Sequence, residues 1–141
     1  LPGLVRPPKS CNTPVPVLAE GDVFKKPWRW VWKNASTEKV DAIVMHAPGT
    51  IKGDSSEYKA IQHVFGENLP LLTTNKWKTG HTFATSGLLS MELGIFMMQN
   101  NQFIPVPFGE SQVQTKPIKT VLINSVGFGG NAVSIFMELN L

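Results

Sequence analysis

With 141 residues, 42% of them apolar and 16% charged, the chain can fill the core of one ordinary domain and is too apolar for wholesale disorder. Its apolar stretches are short and interrupted, well under the ~18 residues that a membrane span requires, and the single cysteine, Cys11, excludes an internal disulfide and a cysteine-based zinc site. The net charge of +3 is scattered, which speaks for solubility, weakly for an acidic partner and little for nucleic acid. No basic-then-apolar signal segment is visible, so composition predicts a soluble cytoplasmic domain; the start at Leu1 reads as a fragment's or a cut chain's.

Five prolines within residues 1–20 predict an irregular or extended lead-in, because proline removes a donor and fixes φ. Residues 23–36 carry a possible helix, which Pro27 interrupts, while Trp28, Trp30 and Trp32 alternate as in a strand. Residues 1–36 are therefore read as a lead-in and 37–141 as the domain. Residues 40–45, Val-Asp-Ala-Ile-Val-Met, form a short apolar run ending at His46, the pattern of a buried strand. After a turn over 46–50, Asp54 with Glu57 three residues on has capping-box spacing and predicts a helix start. Ala60, Ile61, Val64 and Phe65 supply that helix's buried face, and Gly66 stops it. A short strand over 69–73 follows, then a polar stretch, Gly80-His81, and a long apolar helix over about 83–98. Residues 103–105 read as extended, 119–124 as a strand, 125–130 as a glycine-rich turn and 132–139 as a closing strand. The order β-α-β-α-β-β predicts an α/β fold, a mixed sheet covered by helices.

His46 follows the first strand and His81 precedes the second long helix, and such positions gather at one edge of an α/β sheet. A helix N-terminus disfavours imidazolium, and two neutral imidazoles aimed at one oxygen would stabilise a developing enolate. An isolated histidine in such a place as readily satisfies local backbone groups. Lys76 and Glu57 could form a buried pair that sets the field around the histidines, although a solvated surface pair is the commoner arrangement. His63, mid-helix beside Val64, reads as structural, and the three histidines have no zinc-type spacing, so no metal is expected. Gly127-Phe128-Gly129-Gly130 lacks the helix and lysine of a phosphate loop and reads instead as a tight turn presenting backbone N–H groups and the Phe128 ring.

Three ordered motifs carry a resemblance. His46-Ala47-Pro48-Gly49-Thr50 leads after two spacers to Gly53-Asp54-Ser55-Ser56-Glu57; Lys76 precedes Gly80-His81 by three spacers; and Asn124-Ser125-Val126-Gly127-Phe128-Gly129-Gly130 closes the series. Over about residues 38–139 this resembles the C-terminal half of a β-ketoacyl–acyl carrier protein synthase, of the thiolase-like superfamily. The resemblance implies a thiolase-like C-terminal half that takes part in the decarboxylative Claisen condensation of a malonyl thioester with an acyl-enzyme, in fatty-acid or polyketide-type synthesis. His46 and His81 would bind the thioester carbonyl and stabilise the enolate, and Lys76 with Glu57 would organise the charge around them. Thr50 would contact the substrate arm, Phe128 would gate the acyl pocket, and the backbone there, with Gly129, would complete the substrate site. No cofactor is implied, since substrates arrive on the phosphopantetheine of acyl carrier protein. The implied partners are acyl carrier protein, the N-terminal half of the same synthase and a second copy in a homodimer, with no nucleic acid and no membrane.

Two departures stand out. Ala47-Pro48 replaces the family's Gly-Thr and removes a hydroxyl, and the tract over 27–32 stands where the family has an amphipathic helix. Cys11, flanked by Ser10 and Asn12 among prolines, lacks the strand-to-helix elbow of the family's attacking cysteine, so this chain alone is expected to be inactive. Thiolases use a second cysteine near the last turn, and none is present. A non-catalytic partner of the chain-length-factor type is the alternative, against which the retention of His46, Lys76 and His81 argues.

Overall fold

The computed structural model describes residues 4–5, 40–127 and 131–139. Cys11, the tract over 27–32, Phe128 and Gly129 lie outside the described residues. The elements run β1 (Leu4–Val5), β2 (Ala42–Val44), α1 (Ile51–Phe65), β3 (Leu71–Thr73), α2 (Lys76–Thr79), a 3-10 turn (Phe83–Thr85), α3 (Ser86–Asn100), β4 (Thr120–Gly127) and β5 (Asn131–Glu138). The expected β-α-β-α-β-β order is present, with the two-residue β1 and the short α2 added, and the strands form one mixed sheet in the order β1-β5-β4-β2-β3. β2 pairs in parallel with both β3 and β4, whereas β5 runs antiparallel to β4 and to β1.

The period of two along a strand sorts side chains onto two faces. Ile43 and Leu122 face α1, where Ala60 and Ile61 of the predicted helical face are fully buried with Val64 and Phe65 packed beside them. Ala42, Val44, Val121 and Ile123 face the other way, onto Met97 and Met98 of α3 together with Phe103 and Ile118. The sheet is thus sandwiched between α1 and α3.

α3 carries apolar residues on every side, with Glu92 its one charged residue, and a helix of that kind is served by cover on more than one side. Its sheet side is made of small residues, Ser86, Ser90 and Gly94, ahead of Met97 and Met98. A Cβ on Gly94 would lie 2.7 Å from Met137 Cε and 3.0 Å from Ile123 Cδ1, so the glycine lets these sheet side chains pack directly on the helix backbone. Its outer side leaves Leu88 (66% exposed), Ile95 and Phe96 uncovered among the described residues.

Three expected boundaries move. β4 continues to Gly127, paired in register with Asn131, so residues 125–127 are strand rather than turn. Residues 103–105 join no strand; they run beside β3, where the Thr73 hydroxyl donates to the Ile104 carbonyl at 2.6 Å. The long helix starts at Ser86 instead of about residue 83, because Phe83 has φ 49° and cannot continue an α-helix.

Candidate active site

Because β2, β3 and β4 are parallel, their C-terminal ends lie along one edge of the sheet, and His46, Lys76 and Gly127 leave from there. The last ladder bond of that edge runs from the Met45 amide to the Thr73 carbonyl at 2.7 Å. Beyond it the backbone of the 46–50 turn is held by carboxylates of α1. Glu57 accepts the His46 amide on Oε1 and the Ala47 amide on Oε2, both at 2.9 Å, and Asp54 Oδ1 accepts the Gly49 and Thr50 amides at 3.3 and 3.2 Å.

This corrects the capping box. α1 begins at Ile51, ahead of the predicted cap, and its N-cap residue, Thr50, makes no side-chain capping bond. Asp54 and Glu57 point back into the turn instead of closing on each other. Free backbone amides of a turn attract acidic side chains as strongly as helix termini do, so the spacing found the right residues for the wrong partners. The Glu57 clamp holds Ala47 at φ 21°, a conformation that L-residues rarely adopt and that persists only where surroundings enforce it.

His81 follows Gly80, whose φ of 71° ends α2, and lies in irregular backbone rather than at the start of α3. Its Nδ1 accepts the Phe83 amide at 3.3 Å, which leaves Nε2 as the nitrogen that carries hydrogen. The Phe83 ring lies edge-on to it, centroid to centroid 5.5 Å. The His46 and His81 rings themselves meet edge-on, with centroids 5.2 Å apart and planes at 87°. The two imidazoles thus stand in direct edge contact at one end of the sheet, the proximity that a shared acceptor requires.

The electrostatics are those of a dry, positively biased site. Glu57 is 1% exposed and Lys76 7%, so the structure buries both members of the anticipated pair. Burial pushes the Glu57 carboxyl up, against its hydrogen-bond donors and the Lys76 charge, and pushes the Lys76 amine down, against Glu57 and Asp54. His46 is lowered to about 4, first by burial and then by the nearby charges of Lys76 and His81. The neutral bias of His46, which follows a strand, thus comes from burial and neighbouring charge.

The sign of the linkage is fixed. An unfolded His46 titrates near 6.5 and the folded one at about 4, so the unfolded chain binds the extra proton first. His46 stabilises the fold fully above about pH 6.5, and this contribution disappears as pH falls through about 4. Urea titrations of the wild type and His46→Gln at several pH values across that window should show a smaller loss for the variant; parallel losses would contradict it.

His46 Nδ1 and Thr82 Oγ1 are buried without a hydrogen-bond partner among the described residues. Unsatisfied buried polar atoms are rare and costly, and mark places where a further group is accommodated. Thr50 stands exposed at the N-cap of α1, and His63 is exposed in its last turn, outside the cluster. Two contributors were given no role in the sequence reading: Asn124, which entered only as the first residue of the closing motif, and Ser134. Asn124 and Ser134, both fully buried, continue the Glu57 network into β4 and β5. A lone asparagine in an otherwise apolar strand was the available signal for the first; nothing in the pattern singled out the second.

Comparison with known proteins identifies the family and the fold. A family model, that of the beta-ketoacyl synthase C-terminal domain, matches residues 22–108. A 3-oxoacyl-[acyl-carrier-protein] synthase 1 from Haemophilus influenzae is 32% identical over 115 residues, covering 72% of this chain and 28% of the relative. The chain thus spans little more than a quarter of the length of such curated relatives. The ishigamide ketosynthase/chain length factor superposes with a TM-score of 0.78 at 21% identity, over 99% of this chain and 37% of that one. A type II polyketide synthase acyl-carrier protein in complex with its ketosynthase, bound to the hexaketide, gives 0.78 at 23% identity, over 98% and 38%. At such identities the superpositions establish the thiolase-like ketosynthase fold.

Proposed function

The chain belongs to the β-ketoacyl synthase family through its C-terminal domain, and from that premise we propose that it is the part of a 3-oxoacyl–acyl carrier protein synthase that activates the malonyl unit. The observation that carries this reading is the convergence of His46 and His81, rings 5.2 Å apart, in a buried site with unspent hydrogen-bonding capacity. In this reading the malonyl thioester carbonyl sits between the two imidazoles. Its carboxylate leaves as carbon dioxide, and the electron pair released flows into an enolate whose oxygen accepts both N–H groups. The enolate carbon then attacks the acyl thioester on a cysteine, and the thiolate departs. Neutral His46 suits a donor that never gives up its proton in the cycle, and buried Lys76 adds positive potential where negative charge grows.

The attacking cysteine is assigned to the N-terminal half of the synthase, with residues 37–141 forming the C-terminal domain. The uncovered outer side of α3, with Leu88, Ile95 and Phe96, supports a docking face for that half. Acyl carrier protein delivers both substrates on its phosphopantetheine arm, so no other cofactor is needed, and Thr50, Phe128 and Gly129 are assigned to the substrate side. A homodimer of the complete synthase in the cytoplasm belongs to the same reading. No helix among the described residues is long and apolar enough to cross a membrane.

The test is to join this chain to an N-terminal half carrying the cysteine and follow carbon dioxide release from malonyl–acyl carrier protein. Release by the joined protein, and none by the 141-residue chain alone, is expected. A joined, folded protein that never decarboxylates would instead assign the chain to the non-catalytic partners.

A further inference from the structure

We infer that Asn124 and Ser134 are positioning residues of this site, acting through Glu57 on the turn that aims His46. The inference rests on the reading of His46 as a substrate-binding group, but its evidence is a chain of buried hydrogen bonds that needs no substrate. The Ser134 hydroxyl, on β5, donates to Asn124 Oδ1 at 2.9 Å. Asn124 Nδ2, on β4, donates to Glu57 Oε1 at 2.9 Å, and because a carboxylate only accepts, this bond fixes which way round the amide stands. Glu57 spends its two oxygens on the His46 and Ala47 amides, and so holds the positive φ of Ala47.

Every member is sealed from water: Asn124 and Ser134 are 0% exposed and Glu57 is 1%. Reversing the Asn124 amide would set a carbonyl oxygen against a carboxylate, a repulsion that low dielectric amplifies. Two adjacent strands and one helix are thereby tied to a single loop conformation. A merely structural role would consist of packing; a positioning role acts on the charge and orientation of Glu57. Among the described residues, the charged group that faces this carboxyl is Lys76 from α2, with Asp54 one turn earlier on α1 contributing through Lys76.

The experiment is a carbon-13 NMR titration of the Glu57 carboxyl in the 141-residue chain, without substrate or partner half. A donor that stabilises a carboxylate lowers its midpoint, so its removal raises the midpoint. Asn124→Leu and Ser134→Ala should each shift the Glu57 midpoint upward, by about one pH unit for the first, and should move the His46 and Ala47 amide proton signals. Ser134→Thr, which keeps the hydroxyl, should leave both near wild type. If Asn124→Leu does not fold, the Ser134 pair carries the test alone. An unchanged Glu57 midpoint in Ser134→Ala would overturn the inference, as would a Thr variant that behaves like the Ala variant. Because the readout involves no turnover, failure here leaves the decarboxylation result standing, and failure there leaves this one.

Discussion

His46→Ala and His81→Ala are each expected to slow decarboxylation of malonyl–acyl carrier protein by about 10²–10³-fold in the complete synthase. The magnitude is that of removing one preorganised donor from an oxygen on which charge develops. In the proposed reading the two donors, on rings with centroids 5.2 Å apart, share one oxygen, so losses from a shared acceptor should not multiply. The double variant should fall only modestly below the worse single one. Acylation of the cysteine by the primer does not pass through an enolate and should be affected far less. Equal losses in both half-reactions would mean that the substitutions damage the fold and not the enolate site. A full multiplicative loss in the double variant would mean two separate acceptors. Carbon dioxide release and acyl-enzyme mass, measured on the same preparations, decide between these outcomes.

The second large effect falls on stability. Glu57→Leu is expected to cost about 3–5 kcal/mol, because one substitution strands several buried groups at once. The His46 and Ala47 amides and the Asn124 amide lose their acceptor, and the buried Lys76 loses the carboxylate whose field opposes its desolvation. A domain with ordinary stability of ~5–15 kcal/mol would retain little margin. Glu57→Gln keeps one acceptor oxygen but turns an NH₂ group toward an amide N–H, and should fall between the two. Urea unfolding gives the order wild type, Gln, Leu. A Leu variant within about 1 kcal/mol of wild type would mean that water or another group already satisfies the turn, contrary to the network.

How much of this was legible depends on whether the residues speak through local pattern or through distant partners. The run over 40–45 and the 60, 61, 64, 65 face of α1 are local patterns, and the structure buries residues 40–44, Ala60 and Ile61 and packs Met45, Val64 and Phe65, partly buried, against the core. The capping-box spacing was equally local, yet Glu57 turned to amides 10 and 11 residues before it, a choice made by the sheet edge and not by the helix. His81 was assigned to a helix start that Phe83 displaces by its positive φ, and no propensity rule foresees a bulky residue held there. Asn124 and Ser134 are neighbours only across a strand pair, so their partnership exists only once the β4–β5 register is known. The proximity of the two histidines, 35 residues apart in sequence, was implied by the motif series and not by any spacing rule.

The central claim is that two imidazoles converge on one thioester oxygen. The most direct measurement is a crystal structure of the complete synthase with a malonyl thioester analogue that cannot lose its carboxylate. The predicted result is a carbonyl oxygen within ~3 Å of a ring nitrogen of both His46 and His81, with the Glu57 clamp on the His46 turn intact. A carbonyl held by only one of them, with the other ring turned toward protein groups, would contradict it.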